Sequence, residues 1–81
     1  MKLYILAPSK KWMYMGGVIV VIAKSANSAL ELAKNDTKYP DIRSDWYLGK
    51  KDDSDGSWYL VESFQSAESL ERIVLVDYNE A

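Results

Sequence analysis

The chain has 81 residues, enough for one domain spanning 1–81, and its 48% hydrophobic and 27% charged residues are ordinary for a globular protein rather than a disordered one. Ten Lys and Arg residues are scattered among twelve acids, for a formal net charge of −2, so the basic stripe of a generic nucleic-acid binder is missing. Cysteine and histidine are both absent, which removes disulfides, thiolate metal sites, thiol nucleophiles, the commonest general base and the commonest zinc ligand.

Residues 2–7 are apolar and β-prone, and Pro8, which has no amide proton for a ladder, predicts the end of that strand. Ser9-Lys10-Lys11 reads as a loop, and Trp12-Met13-Tyr14-Met15 either decorates it or opens the second strand. Gly16-Gly17 permits a bend before Val18-Ile19-Val20-Val21-Ile22. Such a β-branched run disfavours helix and predicts a strand that is central in its sheet or buried on both faces. Ser25 is a good helix N-cap, and Ser28-Ala29-Leu30-Glu31 offers a capping box three residues later. Ala26, Ala29, Leu30 and Ala33 recur at helical spacing as a narrow core-facing stripe, with Leu32 at its edge. Asn35-Asp36-Thr37 and then Tyr39-Pro40 end the helix.

The tripeptide Trp-Tyr-Leu occurs twice, at 46–48 and 58–60, around a polar stretch that closes on Asp55-Gly56. Aromatic β-prone runs on both sides of such a turn signal predict a β-hairpin. Residues 61–64 continue the second arm, residues 65–70 offer a single helical turn, and Ile73-Val74-Leu75-Val76-Asp77-Tyr78 is a last β-branched strand. The sum is an α+β domain of order β-β-α-β-β-β: about five strands in a mostly antiparallel sheet, with one helix packed on one face. The passage from the second strand through the helix to Trp46 fits a parallel crossover.

Candidate chemistry is sparse. Asp52, Asp53 and Asp55 resemble a calcium loop only superficially, because Lys51 stands where an acid is required and no bidentate acid follows at the right distance. A solvated acidic tip that meets a basic partner surface is the better reading. Glu62 is the one acid inside a strand-like run, and period-2 counting places Trp58, Leu60, Glu62 and Phe64 on one face. No second carboxylate is placed to converge on it, so no catalytic residue is assigned and the chain reads as a non-enzyme. Gly16-Gly17 precedes a strand rather than a helix, which is wrong for a phosphate cradle. Neither cofactor nor metal is implied. The longest apolar run, residues 16–23, is far below the ~20 residues that span a bilayer. The first eight residues carry one charge and too short an apolar region for a secretory signal, so a cytoplasmic protein without a membrane partner is expected.

Three Trp, six Tyr and one Phe are the best functional lead. With Trp46 and Leu48 facing one way and Tyr47 the other, one sheet face covers the helix while the opposite face turns aromatic rings to solvent or a partner. Trp46 and Trp58 fit the core; Trp12 and Tyr14, beside Lys10-Lys11, fit an exposed anchor.

The strand end Val20-Val21-Ile22-Ala23-Lys24-Ser25, running into Ala29-Leu30-Glu31-Leu32-Ala33 and closed by the 73–78 strand, resembles small α+β proteins of bacteriophages and mobile elements. Some of these act as anti-CRISPR or other anti-defence inhibitors. The resemblance implies a protein-binding inhibitor of a host nuclease complex, acting in the host cytoplasm. On that reading Asp52, Asp53, Asp55, Trp12, Tyr14 and Tyr47 contact the host protein or protein–nucleic acid complex. The alternatives are a nucleic-acid or small-ligand module using the sheet aromatics with Lys10, Lys11, Lys50 and Lys51, and a self-associating domain that forms a homodimer.

Overall fold

Five strands and one helix follow one another as β1 (Lys2–Pro8), β2 (Met15–Ala23), α1 (Ala26–Lys34), β3 (Tyr47–Leu48), β4 (Ser57–Gln65) and β5 (Arg72–Glu80), the order that the sequence predicts. The computed structural model describes residues 1–9, 15–35, 46–53 and 56–80, with the backbone alone at 15, 16 and 78–80. In space the strands run β3-β4-β1-β2-β5. The β1–β2, β1–β4 and β2–β5 pairs are antiparallel and β3–β4 is parallel. The result is an α+β sheet, mostly antiparallel, with α1 on one face.

Of the two helix starts open in the sequence, Ser25 is the one used. Its backbone is extended (φ −153°, ψ 165°) and its Oγ accepts from the Ser28 amide at 3.1 Å, satisfying a first-turn donor. Asn35 closes the other end, its amide donating to the Glu31 carbonyl at 3.0 Å. Ala29, Leu30 and Ala33 are buried, with Ala26 and Leu32 packed at the margin. Alanines at the contact let the helix axis sit close to β2. Along β2 the alternation is clear: Ile19, Val21 and Ala23 are fully buried toward α1, while Val18 and Val20 are half-buried on the other face. The strand is central, as its β-branched run predicts; one face is sealed from Ile19 to Ala23 and the other only at Ile22.

Three local expectations are corrected. β1 ends at Pro8, as its last residue rather than the one after it, because there, opposite Trp58 at the end of the ladder, a missing amide costs little. Residues 65–70 form no helical turn; Gln65 ends β4, and the Ser66 amide bonds the Met1 carbonyl at 3.0 Å, holding this stretch alongside the start of β1.

The third correction concerns the Trp-Tyr-Leu copies. They are not arms of a hairpin: Tyr47 lies opposite Ser57 and Leu48 opposite Trp58, in parallel. The connection is too long for the tight turns that an Asp-Gly pair specifies, and Gly56, at φ 93°, lies immediately before β4 rather than at an apex. Parallel pairing brings both tryptophans to the helix side, with ring centroids 4.7 Å apart and planes tilted by 57°. Trp58 is fully buried and Trp46 nearly so, which makes both of them core residues. Since β2 and β3 both run opposite to β1, the path through α1 joins strands of the same direction, as a crossover requires.

Removing the ring at the centre of this core leaves a large void. Trp58→Ala is expected to cost about 3–5 kcal/mol, read as a lowered urea midpoint at unchanged slope.

Candidate protein-docking face

Strand register decides which side chains reach the face opposite α1. Leu6 pairs with Leu60 but Ile5 pairs with Glu62, so Val61 is an extra residue that bulges out of β4. Period-2 counting through this stretch therefore fails: Trp58 and Leu60 lie on the helix side, whereas Glu62 and Phe64 lie on the open side. β5 contains a matching irregularity at Val74, between the Val20–Leu75 and Val21–Ile73 pairs.

With both bulges counted, the open face is a grid of three rows. Phe64, Leu3, Ile22 and Arg72 cross the sheet as the first row. Glu62, Ile5, Val20 and Leu75 form the second. Tyr59 and Ala7 begin the third, which Val18 and Asp77 complete by register with the neighbouring pairs. The two inner columns are entirely aliphatic; the polar groups stand only in the outer columns. Phe64 is 53% exposed and Leu75 46%, large values for apolar side chains on a sheet. Aromatic rings do reach this face, as the sequence predicts, but only Tyr59 and Phe64 in the outer β4 column; its centre is aliphatic.

One end of the face is bounded by the loop that joins β3 to β4. Residues 50–53 fold back toward Ser9, whose Oγ donates to the Asp53 carbonyl at 2.7 Å while its amide donates to the Ser57 carbonyl at 3.0 Å. The Asp53 carboxylate accepts from the Lys50 amide at 2.8 Å, and the Asp53 amide donates to the Lys50 carbonyl at 3.1 Å. Gly49 is required here, since a Cβ would collide with Asp53 Oδ2 and Ser57 Oγ.

Among the sequence candidates, then, Asp53 is half-buried and its carboxylate holds its own loop together, while Asp52 is exposed in the adjoining turn. Tyr47 is 41% exposed beside Gly49 on the open side. Trp12, Tyr14 and Asp55, with Lys10 and Lys11, lie outside the described residues. The structure thus brings Tyr47 and Asp53 together and leaves Asp52 at the rim. Glu62 is exposed. Among the described residues no three His, Cys, Asp or Glu side chains are grouped to hold a metal, and no helix is long and apolar enough to cross a membrane.

Arg72 is the most organised charge on the face. Its Nε and Nη2 donate to the two Glu68 oxygens at 2.7 and 2.8 Å. That hydrogen-bonded fork lowers the Glu68 carboxyl below its ordinary value and raises Arg72.

The residues missed by sequence reading are Ile5, Val20, Phe64 and Leu75. Their signal was present: the first two strands are apolar at both parities, and a single short helix covers only one side. Against this geometry, no family model, no curated protein and no solved structure matches the chain.

Because Gly49 seats the acidic loop, Gly49→Ala is expected to lower stability by about 1–3 kcal/mol, measured by chemical denaturation. Ser57→Ala, which trims one of the three atoms that this Cβ meets, should recover part of the loss in the double variant.

Proposed function

We propose that the chain is a non-enzymatic protein-binding module whose working surface is the sheet face opposite α1. The observation that supports this reading is the contiguous set of aliphatic positions, Leu3, Ile5, Val18 and Val20, left half-buried between outer columns that carry Phe64 and Leu75. An apolar centre with a polar rim is how protein interfaces are built. The charges of the rim, Glu62 and Asp77 against Arg72, sum to a net negative value that does not favour phosphate, so a direct nucleic-acid role is the weaker reading. The narrower proposal, an inhibitor of a host defence nuclease complex, rests on the resemblance at the β2–α1 junction. In that form Asp52 at the end of the face would add an acidic contact to a basic partner surface.

A carboxylate buried against apolar side chains in an interface is costly to desolvate. Phe64→Glu should therefore abolish partner retention by the tagged protein, while Leu70→Glu, 76% exposed and outside β4 and β5, should leave it unchanged. Equal retention by wild type and Phe64→Glu would reject the proposal.

A further inference from the structure

The open face is self-complementary. An axis placed between two such faces and running across the strands reverses the order of the rows. Arg72 of one copy then meets Asp77 of the other, and Phe64 meets Tyr59, each pair occurring twice. In the inner columns Leu3 meets Ala7, large against small, and Val18 meets the end of the column where Ile22 is already buried, at the ~10 Å spacing of stacked sheets. An axis running along the strands would instead lay Glu62 over Leu75, stranding a carboxylate on an apolar side chain. We propose that this face docks a second copy of the chain, in a two-fold dimer whose sheets pack face to face. The inference rests on the protein-binding reading above and names its occupant.

Charge supports the choice of occupant. The Arg72–Glu68 fork uses Nε and Nη2, so that Nη1 remains for a second carboxylate, and Asp77 is exposed on the same face of the same strand. Area sets the strength. Four columns about 4.8 Å apart and three rows about 6.7 Å apart cover on the order of 390 Å² per copy, or roughly 770 Å² in all, the size of a weak, transient contact. Such a dimer should dissociate in the micromolar range rather than be obligate. One flaw is built into the same geometry: the axis sets Glu62 against Glu62 at the β4 rim.

That flaw makes the proposal specific. Sedimentation equilibrium of the full chain, from about 1 to 500 μM, should show a monomer–dimer equilibrium. Phe64→Glu should be monomeric throughout, with the far-ultraviolet circular dichroism of wild type. Asp77→Arg should weaken the dimer roughly two- to thirtyfold, since its contact with Arg72 occurs twice across the axis, and Glu62→Gln should tighten it by about two- to fivefold, since the Glu62 pair meets once. A merely structural role for these two exposed carboxylates would not move the constant in opposite directions. A dimer indifferent to Phe64→Glu, or one that Glu62→Gln fails to tighten, would overturn the proposal. A chain strictly monomeric at the highest concentration would overturn it as well. If the monomer still lost partner retention on Phe64→Glu, the protein-binding reading would stand with a different occupant; if it did not, both would fall.

Discussion

One nine-residue helix, about 13 Å long, is all that the described chain sets against a sheet of five strands. Everything else follows from that shortage. The helix covers the middle of one face, so the fully buried side chains, Trp58, Leu6, Ile19 and Val21, gather beneath it. Two tryptophans extend the cover toward β4, where an alanine-rich helix does not reach. On the other face, whose inner columns are just as aliphatic, Ile22 alone among the described inner-column side chains is buried, and the rest are left half-buried.

Much of this was legible in the sequence. The helix was marked at its end by Asn35 and at its start by Ser25 or Ser28, of which the structure uses Ser25. The β-branched run of β2 identified the central strand. What could not be read were the two bulges. A bulge is one extra residue, invisible to a period-2 pattern, and it reverses the facing of every side chain beyond it. Val61 thereby moved Glu62 and Phe64 from the helix side to the open side, turning an apparent core residue into part of the candidate surface.

The repeated Trp-Tyr-Leu misled for a different reason. Asp-Gly is a hairpin signal when two residues separate the strands, yet here Gly49 and Gly56 delimit a longer loop that folds back toward Ser9. Local turn chemistry was overridden by the demand that both indoles share one side of the sheet. The acidic tip fared likewise: three aspartates suggested an exposed cluster, but the Asp53 side chain is committed to Lys50 within its own loop. Of the candidate site, the sequence showed that one face would be left uncovered, but not which side chains would lie on it.

The bulges have one more effect, on how assembly ends. An apolar sheet with bare outer strands would be open to growth by edge-to-edge addition, strand upon strand, toward a fibre. Val61 and Val74 interrupt the regular ladder on β4 and β5, the strands that flank the grid, and so make each a poor template for the next molecule. The chain can therefore leave apolar side chains on one face while its margins resist polymerisation.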